Sequence, residues 1–315
     1  MNPSYLPMNA AALMDRVFEV YKVTFKSQIA FSVIMGIISF MLMISLGIAL
    51  AFGIALAFSN GNPVGEQQIL LMVAIVLLAL LPLYLGWIYL SASGHILISK
   101  QAFYGEEVEL PFRDVFKAFV RVMSAAVAQL ILSLPWILVL AGLIYTAAAG
   151  SEDFLEFIMA IHPALIIVGG LLFSLFYIIY SNIFALSTPS ALLEGKYFFK
   201  TIIRSYQLLK GDFWKILGLR ALWTILIFLF TYSAQGLIMM LVSGLSFVVN
   251  GFVDFNAIWL ATSTVQFYTS LLIGILMGPL EGIMTALIYF NQKIKKEGLD
   301  IEIGILHLQK SSHGI

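Results

Sequence analysis

Glu281 lies within a long apolar stretch near the carboxyl end of the sequence, two residues after Pro279. It is the only carboxylate that we place inside an apolar span of membrane length. Hydrocarbon cannot solvate a charge, so a carboxylate at this depth usually faces a protein interior or a wet cavity, where it can hold a proton or a cation. The alternative is a structural clamp that hydrogen-bonds a neighbouring helix. The sequence leaves both interpretations open.

Four side-chain amides in the predicted spans can hydrogen-bond across helices, and each is a candidate partner of Glu281. They are Gln129, Asn182, Gln235 and Gln266. Small residues recur every fourth position along the stretch that holds Glu281, namely Ser270, Gly274, Gly278, Gly282 and Ala286. On a helix this spacing forms one continuous groove, so we expect another helix backbone to lie closely against it.

No sequence motif points to an enzyme. The chain has no HExxH zinc-protease motif, no phosphate-binding glycine loop, no GxSxG motif and no pair of aspartates at membrane depth. Cysteine is absent, which excludes disulfides and thiolate metal sites. His95 and His162 are predicted near opposite membrane surfaces, so we expect no shared metal site. We therefore predict no catalytic residue, no cofactor and no metal.

Composition places the candidate residues in a membrane protein. Of 315 residues, 61% are apolar and 11% are charged, and soluble proteins of this length do not have this balance. Six apolar stretches are long enough to cross a bilayer, at residues 29–58, 69–98, 122–149, 157–186, 221–243 and 259–290. We predict an all-α integral membrane protein with a single transmembrane domain over residues 1–315. It comprises an interfacial helix (1–28), a six-span bundle (29–290) and a cytoplasmic tail (291–315).

The basic residues fix the predicted orientation. All 17 Lys and Arg residues precede the first span, follow the sixth, or lie between spans two and three or four and five. The three alternate loops, at residues 59–68, 151–157 and 243–256, contain none. Because positive residues collect on the cytoplasmic side, we predict a multi-pass cell-membrane protein with both termini in the cytoplasm.

Amphipathic segments at residues 10–26, 112–123 and 198–210 each precede a pair of spans. The architecture is therefore predicted as three parallel hairpin repeats, each begun by a cytoplasmic interfacial helix. The first and third segments are expected to end in short breaks, at Lys26-Ser27-Gln28 and Lys210-Gly211-Asp212. Basic residues of the second and third are candidates for binding anionic lipid headgroups: Arg113, Lys117, Arg121, Lys200 and Arg204. The alternative role of these cations is to anchor the topology.

Aromatic residues next to the predicted spans are expected in the interfacial belt of the membrane. They are Phe213, Trp214, Tyr289 and Phe290. The tail after residue 298 alternates apolar and polar residues, a period typical of a short strand or an extended segment.

Three stretches resemble a family of bacterial and archaeal polytopic membrane proteins, the glycerophosphoryl diester phosphodiesterase membrane-domain family. They are LMDRVFEVYKVTFKSQ at 13–28, PSALLEGKYFFKTIIRSYQLLKGDFWKILGL at 189–219 and LIYFNQKIKKEGLDIE at 287–302. The resemblance implies a membrane domain that in some members is fused to a soluble phosphodiesterase domain, whereas most members stand alone without an assigned activity. No segment outside the spans is long enough for that domain here, so the resemblance implies no hydrolase activity.

Two functional hypotheses follow. The first is a non-enzymatic scaffold or accessory factor in membrane or envelope homeostasis that binds membrane lipids, and that binds a protein partner through the cytoplasmic helices and tail. The second is a transporter or permease subunit with Glu281 in a polar cavity. A lipid-modifying enzyme is a weaker third hypothesis. Nothing in the sequence indicates nucleic-acid binding.

The charge distribution makes the topology testable. Epitope tags at the amino and carboxyl ends should both be protected from protease in sealed right-side-out cells, because both ends are predicted in the cytoplasm. A tag inserted in the loop at 59–68 should be cleaved under the same conditions. Opposite accessibility of the two terminal tags would contradict the predicted topology.

Overall fold

The computed structural model describes residues 7–59, 86–148, 163–250, 255–299 and residue 301. Helices account for almost all of this part of the chain, and it contains no strand. In chain order the helices are α1 (Ala10–Ser59), α2 (within 86–104), α3 (Phe112–Lys117), α4 (Phe119–Ala148), α5 (Pro163–Asn182), α6 (Ser187–Leu193), α7 (Phe199–Leu209), α8 (Phe213–Asn250) and α9 (Phe255–Glu297).

Five segments of the described chain are long and apolar enough to cross a membrane. They are Ala10–Leu42, Phe119–Val139, Gly169–Leu193, Phe213–Leu245 and Tyr268–Glu297. These segments overlap the first, third, fourth, fifth and sixth predicted spans. The second predicted span, 69–98, lies mostly outside the described residues, so the six-span count stays a prediction. The all-helical class with several membrane-length helices is as predicted.

The chain divides into two compact units. The first comprises Met1–Val64, Gly94–Phe112 and Trp214–Ile315, and the second comprises Gly65–Ser93 and Arg113–Phe213. This division groups α1 with α8 and α9. It therefore does not follow the three predicted hairpins, and the repeat architecture also stays a prediction.

In the first unit, α1 packs antiparallel against α9. Near the start of α1, the Met8 backbone N–H donates to Asn291 Oδ1 at 2.8 Å and its carbonyl accepts from Asn291 Nδ2 at 3.1 Å. About three turns further along α1, the Tyr21 hydroxyl donates to the Leu276 carbonyl at 2.7 Å. Residues ascending in α1 thus meet residues descending in α9, and the first residues of α1 lie beside the last turns of α9.

The break predicted at Lys26-Ser27-Gln28 is wrong, because α1 continues through these residues without interruption. Gln28 is buried, and its Oε1 lies 2.6 Å from His95 Nδ1. Its Nε2 approaches the His95 carbonyl at 3.4 Å and Ser99 Oγ at 3.5 Å. A polar residue here satisfies a buried imidazole and leaves the helix intact, since no proline or glycine interrupts it.

The prediction that Tyr289 and Phe290 lie in an interfacial belt is also wrong. Both are buried in the first unit, and Phe290 stacks on Phe103 with ring centroids 4.5 Å apart. The helix also continues beyond residue 290 to Glu297, so the predicted tail from 291 begins as helix. Of the alternating segment, only Leu299 and Ile301 fall in the described residues with an assigned structure, and both are helical; Asp300 and residues 302–315 lie outside them. Trp214, by contrast, is 70% exposed.

In the second unit, α4 and α5 are joined by aromatic contacts. Trp136 packs against Phe173 and Phe176 with ring centroids 5.0 and 5.2 Å apart. The predicted amphipathic segment at 112–123 is divided by a turn at Ala118 between α3 and α4. Its helical hydrogen bonds nevertheless continue, because the Ala118 N–H donates to the backbone carbonyl of Asp114 at 3.0 Å and the Val122 N–H donates to that of Ala118 at 2.9 Å. The break at Lys210-Gly211-Asp212 is confirmed, with Gly211 at φ 96° between α7 and α8.

Each of two prolines inside long helices is preceded by a backbone carbonyl that accepts a hydrogen bond from a tyrosine hydroxyl. Leu276 and Leu132 lie three residues before Pro279 and Pro135, and each carbonyl accepts a tyrosine hydroxyl at 2.7 Å, from Tyr21 and Tyr180. Proline removes a backbone donor and opens the preceding turn of the helix. The carbonyl that loses its partner lies four residues before the proline. The tyrosine hydroxyl bonds the next carbonyl of the same turn, which adds a donor where the helical hydrogen bonding is weakened.

Gly94 supplies a test of close packing in the first unit. A methyl group at this position would overlap the Phe31 ring, which is fully buried between His95 and Phe112. We expect Gly94→Ala to lower the midpoint of thermal unfolding in detergent, because overpacking costs roughly 1 to 3 kcal/mol. That cost exceeds the gain in helix propensity of about 1 kcal/mol.

Gly86→Ala is the matched control in the same helix. Its methyl group would meet the end of the flexible Met123 side chain, which can rotate away. The midpoint for this variant should therefore stay close to that of the parent. Equal losses for both variants would contradict the role assigned to Gly94.

Candidate functional site

The intramembrane candidates are not assembled around Glu281 by any contact in the described residues. Glu281 is exposed on α9. Gln129 accepts a hydrogen bond from the Tyr89 hydroxyl, and Asn182 Nδ2 approaches the Phe213 carbonyl at 3.5 Å. Gln235 Nε2 donates to Ser270 Oγ at 2.9 Å. These amides thus have hydrogen-bond partners other than Glu281, the partner predicted for them.

Gln266 lies near Gln235 and Thr269, where α8 and α9 border a shallow apolar cleft completed by Ile238 and Met239. The cleft has no room for a water molecule. It therefore offers no space for a transported solute.

Only two of the five residues of the predicted small-residue groove are buried. Gly282 and Ala286 are buried, whereas Ser270, Gly274 and Gly278 are exposed. A methyl group built at Gly274 or Gly278 would have nothing within 4 Å. The expectation of one continuous groove covered by a helix backbone is therefore wrong for the part before Pro279.

The basic candidates present a more developed site, in the second unit where α6 meets α7. Glu194 is its centre, with a side chain only 12% exposed. Arg204 Nε donates to Glu194 Oε1 at 2.9 Å and to Oε2 at 2.7 Å, and Lys196 Nζ lies 3.4 Å from Oε2. A carboxylate so little exposed requires such partners, since an uncompensated charge would be strongly destabilising.

The loop of the site is held in an unusual backbone conformation. Gly195 has φ 67°, and Phe198, with φ 51°, is the one non-glycine residue with positive φ among the described residues. Phe198 N–H donates to Ser124 Oγ at 3.1 Å, which ties the loop to α4. Arg121, also on α4, places Nη1 3.2 Å from where a methyl group at Gly195 would lie. A larger residue at 195 would therefore crowd the guanidinium.

The site gathers two of the five predicted headgroup residues, Arg121 and Arg204, and Lys200 is exposed one turn before Arg204 on α7. Arg113 and Lys117 are exposed on α3, where Lys117 lies 3.6 Å from Asp114. Sequence analysis missed Glu194 and Lys196. The sequence signal was a glutamate and a lysine flanking Gly195 directly before an amphipathic segment, a pattern typical of a charged loop between two helices.

The chemistry of this cluster is electrostatic. Two cations, Lys196 and Arg204, pair with the Glu194 carboxylate, and Arg121 lies next to Gly195. Lys200 is exposed one turn before Arg204, so the cluster has more cations than carboxylates. Guanidinium and ammonium groups are the side chains that bind phosphate, through charge-assisted hydrogen bonds. Among the described residues no group of His, Asp and Glu is arranged to hold a metal ion. The arrangement can bind an anionic group.

Comparison with known proteins adds no family. No protein-family model matches the chain, and neither a curated protein nor a solved structure is similar to it. The resemblance to the glycerophosphoryl diester phosphodiesterase membrane-domain family therefore stays a prediction.

The Glu194 pair should contribute measurably to stability. We expect Glu194→Gln to lower the unfolding free energy by roughly 1.5 to 3 kcal/mol, the value of a hydrogen bond to a charged group. The control is Asp114→Asn, which removes the exposed pair with Lys117, where side chains are 58% and 64% exposed. An exposed pair contributes at most about 1 kcal/mol. Thermal unfolding of both variants in detergent checks the difference, and equal midpoints would show that Glu194 is not a structural partner of Arg204.

Proposed function

We propose that this protein is a non-enzymatic, multi-pass membrane protein that binds anionic lipid headgroups at its cytoplasmic surface. It serves as a scaffold or accessory factor in membrane or envelope homeostasis. The observation that carries the proposal is the pairing of Lys196 and Arg204 with Glu194, with Arg121 next to Gly195 and Lys200 exposed one turn before Arg204. A phosphate group in the headgroup region is the anion that such a site would meet in a membrane.

The topology belongs to the same proposal. Six spans, with both termini in the cytoplasm, put every Lys and Arg of the sequence on one side of the membrane. Support for a shared side comes from the contact between Met8 and Asn291, which joins the beginning of α1 to the end of α9. Two antiparallel helices that each cross the bilayer once have these ends at the same surface.

A scaffold is favoured over a transporter by the surroundings of the polar residues. Glu281 is exposed, and Gln129 and Gln235 are satisfied by Tyr89 and Ser270. Amides with such partners act in helix association. Transport through Glu281 stays a hypothesis without an observation in its favour.

Lipid retention tests the proposal. The full chain is reconstituted in nanodiscs of phosphatidylglycerol and phosphatidylcholine, and co-purifying lipid is counted by native mass spectrometry. Lys196→Gln and Lys200→Gln should each lower phosphatidylglycerol retention about fivefold, since each removes from the site one cation whose contact with a bound headgroup contributes about 1 kcal/mol. Phosphatidylcholine retention should not change.

Lys296→Gln is the control, because it removes the same charge from an exposed position near the end of α9. It should leave phosphatidylglycerol retention at the parent value. Equal losses for all three variants would indicate a general charge effect and contradict a site at Glu194. Equal retention of both lipids by the parent protein would contradict anionic lipid binding altogether.

A further inference from the structure

Helix α7 has three faces, whereas the sequence pattern indicates two. Ile202, Ser205 and Leu209 belong to its buried face. A second apolar face is exposed, with Phe199 at 38%, Ile203 at 56% and Tyr206 at 50%. Lys200, Arg204 and Gln207 form the third face. The apolar residues that the sequence groups together are thus divided between the protein core and an open surface.

The segment at 112–123, which comprises α3 and the start of α4, repeats this arrangement. Val115, Ala118 and Val122 are buried. The exposed apolar residues are Phe116 at 56%, Phe119 at 40% and Val120 at 67%. Arg113, Lys117 and Arg121 form the charged row.

The beginning of α1 has the same three faces. Leu13, Val17 and Val20 are buried, while Phe18 and Phe25 are 47% and 43% exposed. Val23, 59% exposed, lies outside this pattern, between the charged row and the buried face. Asp15, Glu19, Lys22 and Lys26 form its charged row and are exposed. We call the exposed apolar face of each segment its apolar ridge: Phe18 and Phe25; Phe116, Phe119 and Val120; and Phe199, Ile203 and Tyr206.

The three faces follow one another in the same rotational order in each segment. Successive residues of a right-handed helix turn clockwise by about 100° when the helix is viewed from its amino end. On this basis the apolar ridge follows the buried face by about 110 to 130°, and the charged row follows the ridge by about 80 to 110°. Each helix can therefore be placed so that its buried face meets the protein, its apolar ridge meets an apolar phase and its charged row meets water.

We infer that the three apolar ridges lie in the boundary between headgroups and acyl chains of the cytoplasmic leaflet, with the charged rows turned toward the headgroups and water. The inference rests on the proposed membrane topology and assigns to each segment the face that meets lipid. When each helix is viewed from its amino end with the cytoplasm at the top, its buried face lies on the right. Parallel repeats require such a common hand.

Charge complementarity selects lipid as the occupant. Each ridge borders a row that contains Lys or Arg, and the second and third rows contain the proposed headgroup residues Arg113, Lys117, Arg121, Lys200 and Arg204. Anionic headgroups attract the second and third rows, whereas the first row has two acidic and two basic residues and no net charge. The aromatic residues of all three ridges suit the interface. In α7, which ends before α8 begins, one apolar and one basic exposed face suit a helix that lies in the plane of the interface. The other two segments continue into long helices, so their ridges lie where those helices pass the interface.

The absence of cysteine from the sequence allows single-cysteine variants of the full chain. One residue of each ridge is paired with a nearby charged or polar residue of the same segment: Ile203→Cys with Gln207→Cys, Val120→Cys with Lys117→Cys, and Phe25→Cys with Lys22→Cys. A spin label on each variant is examined in phosphatidylethanolamine and phosphatidylglycerol nanodiscs. Collisions with oxygen report lipid, and collisions with a water-soluble nickel chelate report water.

The ratio of oxygen to nickel collisions should be several times higher at each ridge position than at its paired position. If the nickel chelate reaches the ridge as readily as the paired position, the ridges face water and the inference is wrong. If neither reagent reaches the ridge, a partner protein or a second copy covers it, and the inference is again wrong.

The same variants in phosphatidylcholine nanodiscs separate this inference from the proposed function. Loss of anionic lipid binding leaves the depth pattern intact, because apolar burial does not require headgroup charge. A flat depth pattern together with charge-dependent phosphatidylglycerol retention would reject the ridges and keep the headgroup site.

Discussion

The need to satisfy polar groups in an apolar setting governs the described structure. Within membrane-length helices no water is at hand to bond an exposed carbonyl, so the protein must supply the donor. Tyr21 and Tyr180 do so at the turns before Pro279 and Pro135. Each tyrosine thus supplies a donor to one carbonyl in the turn that its neighbouring proline disturbs.

The same constraint explains why polar residues within the long helices mark pairing and not interruption. Gln28 is buried in α1, and its amide contacts His95 and Ser99 of α2. Ser99 also donates to the His95 carbonyl at 2.6 Å, one turn back along α2. Such a network costs less than its residues suggest, because each buried group bonds another. It also fixes α1 against α2 more specifically than apolar contacts alone, which tolerate sliding.

Much of the helical framework could be predicted from the sequence, and much of the packing could not. Long apolar runs indicate α4, α8 and α9, and glycine at 211 marks the end of α7. Hydrophobic period does not distinguish a face that meets protein from one that meets lipid, since both require apolar residues. For that reason Tyr289 and Phe290 were assigned to the interface although they are buried, and Glu194 was missed because its partner Arg204 is ten residues away.

Charged and polar contacts determine which apolar face of a helix is buried, which the hydrophobic pattern alone does not. A helix with two apolar faces could rotate to exchange them if nothing else distinguished them. In α7 the bond from Arg204 to Glu194 and the bond from Phe198 N–H to Ser124 permit one rotation only. The buried face is then the one beside Leu186, whose N–H donates to Ser205 Oγ at 3.0 Å. The ion pair thus fixes the orientation of α7, and this orientation determines which apolar side chains of the helix are buried and which stay exposed.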